Sequence, residues 1–261
     1  MACDLNPGYL DFWRSTQRAW REIVGIEAVL VLIASRDLVP ADLRDDPAVV
    51  PFEPIEGVHS AFQAQCIRLL YPALVETDGV VIVSDIDLYP LRASYFHDPL
   101  RLLDERFFIS YRDWRVHAYA DRHEWDLAFN AALPTTWGEV FEVRTLDDVS
   151  RELTTWAEGL YYDGRRGWDG WYTDQQKLYE KLTAWPQAPE RLWVMDDQYC
   201  GYCRLNRDKL INEDGIESWR LEDIRALEYS DFSCFIPFDE HREANERILE
   251  LGIEVSRSHQ T

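Results

Sequence analysis

The strongest constraint in this 261-residue chain is an apolar run that ends in two aspartates. Residues 80–83 (VVIV) are β-branched, which is typical of a central strand buried on both faces. Ser84, Asp85, Ile86 and Asp87 follow directly. Because side chains alternate along a strand, Asp85 and Asp87 would point to one side while Ile86 turns into the core. The pattern predicts an α/β fold with two carboxylates at the carboxyl end of a strand.

Two carboxylates at this place favour a metal site. Ligands of open α/β sheets bind at the carboxyl ends of the strands, and two converging carboxylates repel each other unless a cation lies between them. Mn²⁺ or Mg²⁺ suits oxygen ligands and can neutralise the charge of a leaving diphosphate. We therefore predict a divalent cation at Asp85 and Asp87. A D-x-D triplet arises by chance about two or three times in so acidic a chain, so two solvated acids in a turn remain the alternative.

The charge balance excludes several kinds of partner. With 27 basic and 48 acidic residues, the net charge is −21, which argues against nucleic acid and against anionic membranes. The five cysteines are odd in number and irregularly spaced, and Cys200 and Cys203 form a single C-x-x-C pair without a second one. We expect structural thiols rather than a disulfide framework or a zinc site. No signal peptide or membrane-spanning run is evident, which predicts a cytoplasmic protein without membrane insertion.

Periodicity predicts one α/β domain over residues 1–261. Expected helices cover residues 60–76 (stopped or kinked at Pro72), 99–105, 146–160, 173–185 and 239–251. Expected strands cover residues 24–34, 80–87 and 107–111. Residues 40–54, with four prolines, are expected to form a loop with one short turn.

The chain also resembles a known family. The segments that carry the resemblance are, in order, ACDLNPGYL, FQAQCIRLLYPAL, VVIVSDIDLYPL, WYTDQQKLYEKLTAW, RLNRD and YSDFSCFIPF. They are similar to a group of small D-x-D glycosyltransferases with the GT-A fold, including the N-terminal glycosyltransferase domain of a large chlorella-virus protein. The resemblance spans about residues 1–250, and it implies a single glycosyltransferase domain with a donor half at about 1–110 and an acceptor half at about 111–261. It implies a mainly parallel central sheet flanked by helices, and transfer of a hexose-type sugar from a UDP- or GDP-sugar to a hydroxyl of a glycan or other acceptor.

The resemblance implies roles for residues on the donor side. Asp87 corresponds to a direct metal ligand, and Asp85 to a partner that reaches the ribose, or the metal through water. Arg68 corresponds to a basic residue that pairs either with the diphosphate or with an acidic neighbour. The remaining donor-binding residues are the start of the chain, which would hold the base, and the flanks of the first aspartate: Ala2, Cys3, Asp4, Ser84 and Ile86.

Acceptor-side candidates lie later in the chain. Asp174 opens a predicted helix and is a candidate general base for an inverting transfer, with its pKa lowered by the helix N-terminus. Thr173 or Asp174 could equally be a helix cap. Trp168 and Trp171 are candidates for stacking on a sugar ring, or for packing alone. The same two roles are open for Trp137, and Asn130 is a candidate hydrogen-bond partner of the donor sugar.

One segment departs from the family pattern. Family members carry a His shortly after the aspartate of Y-S-D-x-H, where it corresponds to a third metal ligand. Here Ser233 stands at that place. Asp231 or His241 are the candidates to replace the His, or water fills the position.

Three other functions compete with the transferase. A haloacid-dehalogenase-type phosphatase also ends a strand in D-x-D, but Tyr89 stands where its motif has Thr or Val. A sugar nucleotidyltransferase needs a Gly-rich basic loop near the N-terminus, and residues 4–12 have one Gly and no Lys or Arg. The third is a non-catalytic relative that binds nucleotide sugars. The reason to consider it is Ser233, which stands in place of the metal-binding His.

Overall fold

The structure, a computed structural model, describes residues 1–104, 106–113, 123–207, 211–212, 215–216 and 218–259. Its strands, numbered in chain order, are β1 (Ala2–Asp4), β2 (Leu30–Ile33), β3 (Val49–Phe52), β4 (Val81–Val83), β5 (Leu88–Pro90), β6 (Phe108–Ser110), β7 (Asn130–Ala132), β8 (Leu192–Val194), β9 (Arg204–Asn206), β10 (Ile211–Asn212), β11 (Gly215–Ile216) and β12 (Asp231–Ser233).

The α-helices, also in chain order, are α1 (Pro7–Leu10), α2 (Trp13–Ala19), α3 (Ala41–Arg44), α4 (Ser60–Leu70), α5 (Ala93–Leu102), α6 (Pro134–Phe141), α7 (Leu146–Ala157), α8 (Thr173–Ala184), α9 (Ala188–Arg191), α10 (Ser218–Arg225) and α11 (Arg242–His259). A π-helical turn covers Trp20–Val24, and 3₁₀ turns cover Tyr71–Leu74 and Asp239–His241. None of the helices described is long and apolar enough to cross a membrane.

The chain forms two compact units, neither of which is one continuous stretch. The first unit consists of Met1–Leu5, Leu30–Asp85 and Leu103–Asp196. The second unit consists of Asn6–Val29, Ile86–Leu102 and Asp197–Thr261. The division falls inside the D-x-D motif, between Asp85 and Ile86. The single domain with a donor half and an acceptor half stays a prediction.

Parallel pairing dominates the two sheets of the first unit. Strands β1, β2 and β3 form a fully parallel sheet in that order. A four-stranded sheet has the order β4-β7-β6-β8, in which β7 is antiparallel to β4 and β6, and β6 is parallel to β8. Strands β4, β6 and β8 therefore run in one direction. The predicted α/β class with a mainly parallel sheet is confirmed.

Helix α4 is the main helix packed on these sheets. It buries Phe62, Cys66, Ile67, Leu69 and Leu70 in the core of the first unit. The ring of the preceding His59 caps the helix, since its Nδ1 accepts a hydrogen bond from the N–H of Ala61 at 3.2 Å. Pro72 cannot continue the helical hydrogen bonds, so the helix ends in a 3₁₀ turn. The predicted stop at this proline is confirmed.

All three expected strands are shorter than predicted, and the strand expected over residues 107–111 loses one residue at each end. The strand expected over residues 24–34 covers only Leu30–Ile33, because the π-helical turn continues to Val24 and Gly25 ends it at a φ of 78°. The strand expected over residues 80–87 covers only Val81–Val83. Val81 and Ile82 are half-buried rather than buried on both faces, since β4 is an end strand of its sheet.

Residues 40–54 hold the one-turn helix α3, which agrees with the expected short turn, and the strand β3, for which the prediction of a loop was wrong. The carbonyls of Ala48 and Phe52 accept hydrogen bonds from Leu30 and Ala34, at 2.8 Å and 3.1 Å. Alternate residues of β3 therefore face β2, and Pro51 occupies an outward-facing position. A proline is tolerated there because its missing N–H would have no partner in the sheet.

Helix ends also differ from expectation. Helix α5 begins at Ala93 and contains Pro99, where the helix was expected to start, and Glu105 lies outside the described residues. The closing helix runs to His259 instead of residue 251. Helices α7 and α8 confirm the two helices expected over residues 146–160 and 173–185 to within three residues at each end.

The second unit is built around strand β12. It pairs antiparallel with β5 and parallel with β9. The side chain of Asn245 on α11 is fully buried and bonds both the N–H of Phe235, at 2.9 Å, and its carbonyl, at 3.0 Å. Asn245 thereby fixes the chain just after β12. A separate antiparallel ladder joins β10 and β11.

We predict that Gln63 stabilises the segment before α4. Its buried amide bonds the N–H and C=O of Ile55 and the C=O of Val58. Gln63→Leu leaves these backbone groups without their partner, so we expect the free energy of unfolding to fall by about 1–3 kcal/mol in urea denaturation. Gln176→Leu is the matched control because Gln176 is exposed and its hydrogen bond is 3.5 Å long. Equal losses in the two variants would contradict the prediction.

Candidate functional site

An arginine joins two candidate carboxylates within the first unit. Arg68, on the last turn of α4, bonds Asp85 through Nη1 and Asp174 through Nη2, the latter at 2.7 Å. Its Nε donates to the backbone carbonyl of Gln65 at 3.0 Å, which holds the guanidinium in place. Asp85 and Asp174, which follow Arg68 by 17 and 106 positions in the sequence, thus meet at one side chain. The sequence left two partners open for Arg68, the diphosphate and an acidic neighbour. The structure shows two acidic neighbours.

Burial sets the electrostatics of this group. The side chain of Asp174 is 2% exposed, that of Arg68 14% and that of Asp85 31%. Burial raises the pKa of Asp174 above its usual value of 3.8, and Arg68 and the N–H of Gln175 oppose that rise. Burial alone would lower the pKa of Arg68, but the two carboxylates outweigh it and raise the pKa. The expected lowering of the pKa of Asp174 by the helix N-terminus is therefore wrong, because desolvation is the larger effect.

Asp174 is not a helix cap. The N-cap of α8 is Tyr172, which makes no side-chain capping bond, and Asp174 lies inside the first turn. Its Oδ1 accepts from the N–H of Gln175 at 2.8 Å while Oδ2 accepts from Arg68. A raised pKa brings a carboxylate closer to the value that suits a general base. The catalytic role of Asp174 stays a prediction.

Asn130 is next to the D-x-D strand. Strand β7 places it opposite Val83, the last residue of β4. It is fully buried, and its Nδ2 donates to the carbonyls of Asp126 and Leu127. Its Oδ1 accepts no hydrogen bond from the described residues. Since buried polar atoms are nearly always satisfied, this oxygen is an exception within the described part of the chain.

The start of the chain is strand β1. Cys3 is buried, and burial raises the pKa of its thiol, so it is unreactive there. Asp4, at the end of the strand, accepts a hydrogen bond from the hydroxyl of Ser60 at 2.8 Å. Ala2 is half-buried. The role of these residues with a base stays a prediction.

In the second unit, Asp87 pairs with Arg207. Arg207 Nη1 lies 2.9 Å from Asp87 Oδ2 and donates to the backbone carbonyl of Cys234 at 2.6 Å. Arg207 had no predicted role. The signal was in the sequence, because Arg207 belongs to the RLNRD segment of the family resemblance. Ser84 and Ile86, the flanks of Asp85, are both buried.

The candidates for a third metal ligand lie in the second unit with partners of their own. Asp231 is fully buried, and its carboxylate accepts from Arg204 at 2.5 Å and from the hydroxyl of Ser230 at 2.7 Å. His241 lies in a 3₁₀ turn with its ring centre 5.6 Å from that of Phe235. Ser233 is buried in β12.

The described residues offer ligand atoms of the right chemistry for a divalent cation, but too few of them to complete its coordination. Asp85 and Asp87 offer the carboxylate oxygens that Mn²⁺ and Mg²⁺ prefer. Each of them already bonds an arginine. In the part of the chain that the structure describes, no three His, Cys, Asp or Glu side chains come together in a way that could hold a metal. A cation at these residues would need further ligands from a bound diphosphate or from water.

The three candidate tryptophans have different environments. Trp137 is fully buried in the core of the first unit, which confirms a packing role. Trp168 is 56% exposed, with the guanidinium of Arg165 3.9 Å from its ring centre. Trp171 is half-buried and parallel to the ring of Tyr162, with the centres 6.5 Å apart. The assignment of Trp168 and Trp171 to the acceptor side stays a prediction.

Comparison with known proteins gives similarity of structure only. No protein-family model matches the chain, and no curated protein matches it. Among solved structures, it is similar to an active-site mutant of LgtC and to the galactosyltransferase LgtC in complex with donor and acceptor sugar analogues. Each has 13% sequence identity, a TM-score of 0.45, and coverage of 96% of this chain and 93% of that one.

It is also similar to the glycosyltransferase GlyE of Streptococcus pneumoniae TIGR4, at 13% identity and a TM-score of 0.42, over 99% of this chain and 62% of that one. At these TM-scores, function has to be inferred from the side chains of the chain itself.

We predict that Arg68 offsets the burial of the Asp174 charge. Arg68→Met should lower the free energy of unfolding at pH 7 by about 3–5 kcal/mol, as when one partner of a buried ion pair is removed. Without Arg68, the folded-state pKa of Asp174 rises further above 3.8. The loss is therefore complete above that raised pKa and shrinks as the pH falls through it, because the folded state then takes up the proton.

Urea denaturation at pH 7 and pH 5 measures this effect. The double variant Arg68→Met/Asp174→Asn is the control, since it removes the buried charge together with its partner, and it should be more stable than Arg68→Met at pH 7. A loss in Arg68→Met that does not change with pH would show that Asp174 is not the group responsible.

Proposed function

We propose that this chain transfers a sugar from a nucleoside-diphosphate sugar to a hydroxyl group of an acceptor. The observation that carries the proposal is the bridge of Arg68 between Asp85 and the buried Asp174 in the first unit. A guanidinium has five N–H donors, and its bonds to Asp85, Asp174 and Gln65 use three of them. The others suit an anionic or hydroxyl oxygen of a ligand.

Neighbouring groups support a sugar as the ligand. Asn130 Oδ1 is buried and accepts no hydrogen bond from the described residues, so a ligand hydroxyl would satisfy it. It lies opposite the last residue of β4, directly before Ser84 and Asp85. A carboxylate, a guanidinium and an amide together can bind several hydroxyl groups. This supports recognition of a nucleotide sugar over recognition of a phosphate group alone.

The residues after the D-x-D motif weaken the phosphatase alternative. A haloacid-dehalogenase-type phosphatase uses the first aspartate of D-x-D as a nucleophile. Here Tyr89 stands where the motif of that phosphatase has Thr or Val. A non-catalytic relative that only binds nucleotide sugars remains the second candidate, and the turnover measurement below separates it from the transferase.

For the metal, we propose that Asp85 and Asp87 hold Mn²⁺ or Mg²⁺ together with the donor diphosphate of a UDP- or GDP-sugar. The cation would stabilise the negative charge that forms on the leaving nucleoside diphosphate. Because each carboxylate also bonds an arginine, we expect the cation to bind weakly without nucleotide. In the absence of nucleotide, Arg68 and Arg207 compensate the charges of Asp85 and Asp87.

For Asp174, we propose the role of general base in an inverting transfer to a glycan or other hydroxyl acceptor. Burial raises its pKa, which favours proton uptake. It would take the proton from the attacking hydroxyl as the bond to the sugar forms and the bond to the diphosphate breaks. Arg68 holds Oδ2 and so fixes the orientation of the carboxylate.

We expect Asp174→Asn to lower turnover by about 10²–10⁴-fold, the usual range for loss of a general base, with donor binding retained. The measurement is release of UDP or GDP from the nucleotide sugar, with and without acceptor, at saturating donor. Asp147→Asn is the matched control because Asp147 is exposed on α7. Near-normal turnover of Asp174→Asn would remove Asp174 as the base. Donor binding without turnover in the wild type would favour the non-catalytic relative.

We expect calorimetry to show that Mn²⁺ binds tightly only when UDP or GDP is present. Asp87→Ala should abolish this nucleotide-dependent binding, Asp85→Ala should weaken it, and Ser233→His should strengthen it by adding an imidazole ligand. Asp78→Ala is the control because Asp78 is an exposed acid before β4. Unchanged metal affinity in Asp87→Ala would show that Asp87 is not a metal ligand.

A further inference from the structure

The first unit contains a cavity that none of the predicted roles uses. Its volume is about 410 Å³, within the range of small-molecule sites. The segment Gly57–His59 before α4 and Phe62 on α4 form one side. Ala157, Leu160 and Tyr162, at the end of α7 and just after it, form the other side. The cavity is large enough for a sugar ring with its substituents.

Tyr162 organises the cavity. Its ring packs edge-on against those of His59 and Phe62, with centres 5.2 Å and 5.4 Å away, and lies parallel to Trp171. Gly170 has a φ of 75°, and a Cβ at that position would be 3.2 Å from the Tyr162 ring. The backbone at Gly170 therefore packs closely against the ring of Tyr162. Aromatic walls held in this way are preformed, which lowers the entropic cost of binding.

The cavity is neutral, although the chain carries a net charge of −21. The residues that line it include no Asp, Glu, Lys or Arg. Its polar groups are those of His59 and Tyr162. Because Nδ1 of His59 accepts the N–H of Ala61, Nε2 carries the proton in the neutral ring and can donate to a ligand. A ligand with apolar faces and neutral hydroxyl groups matches these walls better than a charged or a wholly apolar one.

Helix α4 connects this cavity to the charged bridge. The hydroxyl of Tyr162 donates to Gln65 Oε1 at 2.8 Å, and the carbonyl of Gln65 accepts from Arg68. Phe62, Gln65 and Arg68 are spaced by three residues along the helix. At a rise of 1.5 Å per residue, Phe62 and Arg68 are about 9 Å apart along the helix axis. This separation matches about two linked sugar rings.

We propose that this cavity, lined by His59, Phe62, Leu160 and Tyr162, binds a neutral sugar ring of the acceptor, which is then a saccharide of at least two rings. One ring occupies the cavity, and the next one presents its hydroxyl near Asp174. That this saccharide is the acceptor rests on the proposed transferase function. Binding of the sugar ring in the cavity does not.

A saccharide-binding experiment tests the proposal. The wild-type chain is screened on a printed array of neutral mono- to tetrasaccharides, and the strongest binder is titrated by calorimetry. Leu160→Trp fills the cavity and should weaken binding by at least tenfold. Leu146→Trp is the matched control, since Leu146 is an exposed leucine at the start of α7, the helix that precedes Leu160. His59→Asn keeps a capping acceptor but loses the Nε2 donor, and should weaken binding by up to about tenfold.

Three results would overturn the proposal: no saccharide binds, Leu160→Trp binds like Leu146→Trp, or uridine or guanosine displaces the saccharide from the cavity. Melting temperatures of the variants show that they are folded. UDP binding measured on the same Leu160→Trp protein separates the two proposals. Lost saccharide binding with retained UDP binding supports the cavity assignment even if no sugar transfer is detected.

Discussion

The ion pair of Arg68 with two carboxylates is the interaction on which the proposed chemistry depends. Asp174 is almost completely buried, and a buried carboxylate is tolerated only with a compensating charge. The same guanidinium also reaches Asp85, the first aspartate of the D-x-D motif. One cation thus fixes acids from the end of β4 and from the start of α8. A ligand oxyanion that enters this group meets an oriented donor, which is how preorganised sites stabilise developing charge.

Helix α4 gives this arrangement its rigidity. One side of the helix is embedded in the core of the first unit through Phe62, Cys66 and Leu69. Its first residues border the neutral cavity and its last turn carries Arg68. The proposed sugar recognition and the charge compensation are therefore placed on one rigid element, where their separation cannot change without unwinding the helix. Catalytic groups on helices and strands are positioned more precisely than groups on loops.

The sequence predicted the α/β class, helices α4, α7 and α8, and the end of α4 at Pro72, because these follow from apolar periodicity and proline chemistry. It missed β3, since Pro51 inside a short strand is permitted only by an edge position that the sequence does not reveal. It also placed the pKa of Asp174 on the wrong side of its usual value. The helix N-terminus is visible in the sequence, whereas the burial that outweighs it depends on packing. Arg68 was found, but its bridge between residues 85 and 174 required the tertiary fold. Arg207 was missed although it belongs to the RLNRD segment of the resemblance, because its pairing with Asp87 also depends on the tertiary fold.

Pro51 also affects how this protein meets other molecules. The outer margin of a β-sheet is a template on which a strand from another chain can add through backbone hydrogen bonds. At the outward-facing position of β3, the pyrrolidine ring replaces the N–H that such a strand would need. The edge of the parallel sheet formed by β3 is therefore protected against intermolecular strand addition, and hence against the first step of amyloid-like association.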